Sequence, residues 1–257
     1  NTLNVGLVHD ALVVYMVQRC AKDGVPITSV NPVVCECNDS SLNDICQRAV
    51  TQEHVFSALK SASRDFEEGA VGAGKGMTCH GLKGGIGSAS RLISLPEGCF
   101  TLGVLVLANH GKLADLLLEG KNIGREIDSE NLEPDKGSII VLLATDLPAS
   151  DRQLRRILKR TSVGLARLGS FIGHGSGEIM LGFSTANTIP RGASEGIFCQ
   201  KVLNEEKIDI PFRAAAFACQ EAVLNALATA RATTGFQGNM RRSLSEFLPG
   251  LGWPLQA

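Results

Sequence analysis

The sequence predicts a layered α+β (α/β-type) domain, on three observations. Two apolar runs, residues 91–95 and 100–108, flank Pro96-Glu97-Gly98 and read as a β-hairpin. The unbroken apolar run over 138–144, SIIVLLA, reads as a strand buried on both faces. Residues 211–232 carry Phe212, Ala215, Cys219, Val223, Ala226 and Ala230 at helical spacing, and Pro211 suits a first helical turn. Helices and hairpins mixed along one chain bury their apolar faces best as layers. At 257 residues the chain is long enough for one large or two small domains, and needs no staples.

The remaining elements follow in chain order. Residues 5–20 form a helix with Val5, Val8, Leu12, Met16 and Cys20 on one face. Residues 33–36, after Pro32, form a short strand. Thr51 caps a helix reaching about residue 62, with Glu53 and His54 in its first turn. A glycine-dense stretch over 68–90 precedes the hairpin, and residues 113–118 extend its sheet. Residues 119–136 are polar and turn-rich, an exposed linker. Beyond the 138–144 strand, residues 149–167 form a helix whose Arg152, Arg155, Arg156, Lys159 and Arg160 make a solvated basic face. Residues 178–185 supply a further strand.

Composition excludes several functions. A net charge of -1 with 5% aromatic residues argues against nucleic-acid binding, which needs a basic field and stacking rings. No apolar run approaches the ~18 residues of a membrane-spanning helix. The eight cysteines follow no disulfide framework, so they read as reduced thiols in a cytoplasmic setting, or a periplasmic one if a signal peptide precedes Asn1. Cys35, Cys37, Cys46 and His54 match no zinc template, and neither metal nor cofactor is expected.

The glycine clusters invite motif readings that fail in detail. GAVGAGKG (69–76) nearly spells a phosphate loop, but Gly76 stands where a magnesium-binding hydroxyl is needed, and no strand feeds it. GGIGSAS (84–90) lacks the strand that precedes a dinucleotide fingerprint. Both read as tight loops where backbone passes close to another segment. GHGSGE (173–178) is out of frame for a nucleophile elbow, and His174 receives no role.

The sharpest signal is the junction DKGSIIVLLATD (135–146), where a polar linker meets a buried strand at Gly137 and Ser138. Cleavage between them would free the Ser138 α-amine, with an intrinsic pKa of ~7.7–8.0. One residue would then hold both nucleophile and base.

These segments carry a resemblance. NPVVCECND followed by LND, EGAVGAGKGM, KGGIGSASR, LGVLVLANHG, GSIIVLLATDLP and GSGEIMLGFSTAN occur here in order, over about residues 1–200. They resemble the L-aminopeptidase/D-esterase family of self-processing serine hydrolases, which includes the β-aminopeptidases. The resemblance implies a four-layer αββα sandwich lacking its N-terminal part, since roughly a further third of the family chain has no counterpart here. It implies a single catalytic domain, 1–257, that cuts itself at Gly137-Ser138 into α (1–137) and β (138–257) chains.

On the same resemblance, Ser138 matches the nucleophile, Ser176 and Glu178 the pair supporting its amine, and Asn109 the oxyanion-hole amide. Glu36 matches the carboxylate that meets the substrate's ammonium. Asn38 replaces an aromatic pocket residue. The implied activity is release of N-terminal residues from short peptides, amides or esters, by a homo-oligomer of αβ units, without nucleic acid or membrane. A related acyltransferase or an amide hydrolase for a non-peptide substrate is the alternative among enzymes. An uncleaved nucleotide-binding or scaffold protein is the alternative outside them.

Overall fold

Four strands form the central sheet of the computed structural model, which describes residues 1–130, 137–190, 192 and 194–252. Strands β1 (Gly85–Leu95) and β2 (Gly98–Asn109) form an antiparallel hairpin, and β3 (Gly137–Thr145) pairs antiparallel with β2. Strand β4 (Ser176–Ser184) runs parallel to β3, giving the order β1-β2-β3-β4. A parallel neighbour needs a crossover, and two helices supply it, α3 (Asp151–Leu158) and α4 (Thr161–Arg167). The layered α+β architecture expected from the sequence is therefore present, as a helical layer on one sheet.

The helical layer is centred on α5 (Asp209–Thr229). Its Ala215, Ala218, Cys219, Ala222, Val223, Ala226 and Leu227 are fully buried. They meet Leu102, Val104 and Val106 of β2 and Ile139, Val141 and Leu143 of β3 in one core. The small side chains let the helix lie close to the strands. A Cβ on Gly87 of β1 would lie 2.0 Å from the Ala222 carbonyl oxygen, and one on Gly164 of α4 would lie 2.5 Å from that of Ala216. Burial of this stripe removes a large apolar area from water at roughly 25 cal/mol per Å².

The opposite sheet face is covered only at one end. There Ile86, Leu107 and Ile140 pack against Cys35, Cys37 and Met77. Further along, Leu92, Ile179 and Phe183 stand exposed at 74%, 48% and 49%. This is an apolar face of the kind a second layer covers.

Several expectations are corrected. Residues 33–36 form no strand: they run beside the sheet without a ladder partner, held by Cys35 and Cys37 in the small cluster. Residues 113–118 do not extend the sheet. Gly111, at φ +84°, turns the chain away, and a short 3-10 turn leads into a two-residue pairing of Leu117–Leu118 with Lys121–Asn122. The 119–136 stretch is not all exposed linker, because Ile123 and Gly124 of the helix Ile123–Ile127 are buried; its residues 131–136 lie outside the described residues.

The single helix expected over 149–167 is two. The break falls where the Thr161 hydroxyl donates back to the Leu158 carbonyl at 2.7 Å and Arg160 N bonds the Ile157 carbonyl at 2.9 Å. Its basic face is indeed a surface feature, with Arg152 and Arg156 on Glu205, Arg155 on Asp151, and Arg160 over the Phe212 ring. The first helix, α1 (Val5–Lys22), forms as expected, but only Ala11 is buried. Leu12, Met16 and Cys20 instead line a shallow groove with Ile27, Val30 and Pro32. Helix α2 (Gln52–Ser61) packs against α1 and starts at a Thr51–His54 capping box. Among the described residues, no helix is long and apolar enough to cross a membrane.

Candidate active site

Ser138 is the second residue of β3 and lies directly opposite Asn109, the last residue of β2. Both line a cavity of about 600 Å³ with Asn38, Thr78, Gly137 and Gly175. Partners across an antiparallel ladder point to the same face. Ser138 and Asn109 therefore share the face of Leu107 and Ile140, opposite the helical layer. Gly177 of β4, the register partner of Ser138, leaves the hydroxyl uncrowded: a Cβ there would lie 3.3 Å from Ser138 Oγ.

Gly137 has to be glycine. Its φ is +154°, and a Cβ would lie 2.0 Å from the Asn109 carbonyl oxygen. The junction between linker and strand is thus pressed against the residue opposite Ser138. The Ser138 carbonyl accepts from the Cys37 thiol at 3.4 Å. Burial pushes that thiol up to about 12, so it stays protonated and donating.

Asn109 is 5% exposed and held at both ends of its amide. Oδ1 accepts from the Thr78 N–H at 2.8 Å, and Nδ2 donates to the Asn38 carbonyl at 3.0 Å. These bonds fix the orientation of the amide and leave one Nδ2 hydrogen uncommitted among them.

Ser176 and Glu178 lie on β4, and the Ser176 hydroxyl donates to Glu178 Oε1. Ser176 pairs with Gly137 and Glu178 with Ile139. The pleat puts both side chains on the face opposite Ser138 Oγ. In register they fall on either side of Gly177, the partner of Ser138.

Not every expected residue gathers here. Glu36 does not line the cavity; its carboxylate accepts from the Thr2 hydroxyl. Asn38 lines it, with its side chain turned back onto the Ser40 N–H at 2.9 Å. His174 is exposed in the turn before β4. Cys35, Cys37, Cys46 and His54 go separate ways: Cys37 to the Ser138 carbonyl, His54 to the α2 cap, Cys46 to the surface.

The glycine loops pack as backbone against backbone. A Cβ on Gly74 would lie 2.3 Å from the Gly69 carbonyl, and one on Gly84 would lie 2.4 Å from that of Ala108. Lys75 of the phosphate-loop-like run is exposed, and the run forms a 3-10 turn. Sequence reasoning missed the lysine that matters. Lys83 is fully buried, and its Nζ donates to the carbonyls of Gly74, Met77 and Gly84 at 2.7–2.9 Å. Burial brings its ammonium down to about 8. It also missed Cys79, His80 and His110, buried behind the cavity wall. A lysine between apolar and glycine residues in GLKGG was the one available signal for the former.

The model of peptidase family S58 matches residues 1–241. The β-peptidyl aminopeptidase BapA of Sphingosinicella xenopeptidilytica is 36% identical over 252 residues, 91% of this chain and 62% of the relative. The chain thus spans about three fifths of the length of its curated relatives. Among solved structures, the PH0078 protein from Pyrococcus horikoshii OT3 matches with a TM-score of 0.89 and 44% identity, over 98% of this chain and 71% of that one. The L-aminopeptidase D-Ala-esterase/amidase of Ochrobactrum anthropi, described as a variant of the Ntn hydrolase fold, matches with a TM-score of 0.87 and 36% identity, over 98% and 72%.

Proposed function

The chain belongs to peptidase family S58, and from that membership and the surroundings of Ser138 we propose that it is a self-processing N-terminal-serine hydrolase. Its substrates are short peptides, amides or esters with a free amino end. The names of its relatives support peptides opening with a β-amino acid among them. The observation that carries the reading is the pairing of Ser138 with Asn109 at the cavity, directly after Gly137, whose backbone is pressed against the Asn109 carbonyl.

In self-processing, Ser138 Oγ attacks the Gly137 carbonyl carbon. The C–N bond gives way to an ester, and water splits the ester. Gly137 leaves as a carboxylate, and Ser138 keeps a free α-amine. That amine then takes the Oγ proton as the hydroxyl attacks a substrate carbonyl. The second Nδ2 hydrogen of Asn109 meets the oxyanion, a stabilisation worth ~3 kcal/mol in comparable sites. The ammonium passes its proton to the leaving group, and water hydrolyses the acyl ester.

Ser176 and Glu178 act on the amine. Because the Ser176 hydroxyl donates to Glu178, its oxygen is free to accept from the ammonium, and the carboxylate supports that charge. Glu36 receives the substrate's ammonium once the Thr2 hydroxyl yields, and Asn38 shapes the pocket wall. The α and β chains are residues 1–137 and 138–257 of one catalytic domain. The eight free thiols support a reducing, cytoplasmic setting. The exposed apolar sheet face supports further packing in a homo-oligomer of αβ units.

Ser138→Ala tests the reading. A single uncut chain without hydrolysis is expected; normal cleavage in this variant would overturn it.

A further inference from the structure

We propose that Cys79, His80 and His110 hold a zinc-class divalent cation in the cavity wall, tying the segment that carries Thr78 to the segment that carries Asn109. One ligand atom from each residue lies within 4.8 Å of the other two. All three side chains are at most 1% exposed, and Cys79 Sγ lies 3.9 Å from His110 Nδ1. A modest inward movement brings such a set to the Zn–S and Zn–N distances of about 2.3 and 2.0–2.1 Å.

Two further observations point to a ligand. His80 Nδ1 lies 3.0 Å from the Lys112 carbonyl. A carbonyl only accepts, so Nδ1 carries the proton and Nε2 presents the lone pair. That is the tautomer and the backbone anchor that metal-ligating histidines use. His110 turns its Nδ1 to Cys79 Sγ, and an imidazole ligates one cation through one nitrogen, so Nδ1 is its ligand atom. A thiolate with two imidazoles suits zinc and its neighbours far better than magnesium or calcium. Binding requires the Cys79 thiol to release its proton to solvent.

The placement gives the cation a purpose. Thr78, Gly81, Asn109 and Gly111 line the cavity, and each is a chain neighbour of a ligand. A cation bridging 79–80 to 110 would hold the Thr78 N–H against Asn109 Oδ1. The ligands are positioning residues: they act on the oxyanion donor through the backbone and take no part in bond making at Ser138. Nothing in this inference requires that Ser138 be the nucleophile.

The test uses the purified protein, stripped with a chelator and reloaded with Zn²⁺ or Co²⁺. The expected result is about one equivalent per chain, with a thiolate-to-cobalt charge-transfer band in the near ultraviolet and a zinc-dependent rise in Tm. Cys79→Ser and His110→Gln should each lose the band, while Cys37→Ser keeps it. Folded wild-type protein that retains less than about a tenth of an equivalent, with no band, would overturn the proposal without recourse to any variant. A band that survives in Cys79→Ser would overturn it equally.

Discussion

Asn109 faces Ser138 across the β2–β3 ladder, and both ends of its amide are pinned, by the Thr78 N–H and the Asn38 carbonyl. The donor is therefore presented from a strand end fixed by two hydrogen bonds. A donor held this way needs no reorganisation when negative charge develops beside it. The relationship also makes the residue separable by mutation, because one end of the amide accepts and the other donates.

Asn109→Asp keeps the acceptor for Thr78 and removes the donor. It should lower kcat by about 10²–10³ with KM nearly unchanged, as expected of an interaction made only in the transition state. Steady-state kinetics on an amino-acyl p-nitroanilide checks this; wild-type kcat would remove Asn109 from the oxyanion site.

Gly137→Ala places a methyl group 2.0 Å from the Asn109 carbonyl oxygen at a φ of +154°. Backbone strain of about 1–3 kcal/mol adds to that clash. The junction must shift, so cleavage should slow sharply and the uncut chain should unfold at lower urea. Gel electrophoresis over time and urea titration measure the two effects; unchanged cleavage would show that the tight placement is incidental.

On the proposed mechanism, Glu178→Gln removes the charge that supports the ammonium of the processed Ser138. The amine then loses its proton at lower pH. The acidic limb of the kcat/KM profile should therefore move to lower pH while maximal activity falls. A limb that stays in place would separate Glu178 from the amine.

The buried thiols make a prediction about labelling. Burial pushes Cys37 and Cys219 up to about 12. At pH 8 both therefore stay protonated, and thiolate is the reacting form. Cys46, Cys99 and Cys199 are exposed. Mass spectrometry after iodoacetamide should find these three modified early, with Cys37 and Cys219 untouched in folded protein. Early modification of Cys37 would mean that its bond to the Ser138 carbonyl does not form.

The sequence made the elements with strong local patterns legible. The β3 run, the hairpin and the α5 stripe all stand where periodicity puts them, because a side-chain period is a local property. The residues proposed for the site, Ser138, Asn109, Ser176 and Glu178, were named from ordered motif matches; the ladder register sets Ser138 opposite Asn109 and turns Ser176 and Glu178 to the other face of the sheet. Patterning failed where long-range contacts decide. Residues 33–36 look like a strand but find no ladder partner, and 113–118 leave the sheet because of the Gly111 turn beside His80. Lys83, Cys79, His80 and His110 were not anticipated. Cys79 and His80 meet His110 only because two loops some thirty residues apart close on each other, and Lys83 is buried by carbonyls of its own glycine-rich loop, which the spacing of side chains does not reveal.

The most direct measurement is N-terminal sequencing with intact mass of the purified wild-type protein. The account predicts two chains, one of them opening Ser-Ile-Ile-Val. A single unbroken chain that nonetheless hydrolyses aminoacyl substrates at full rate would contradict it.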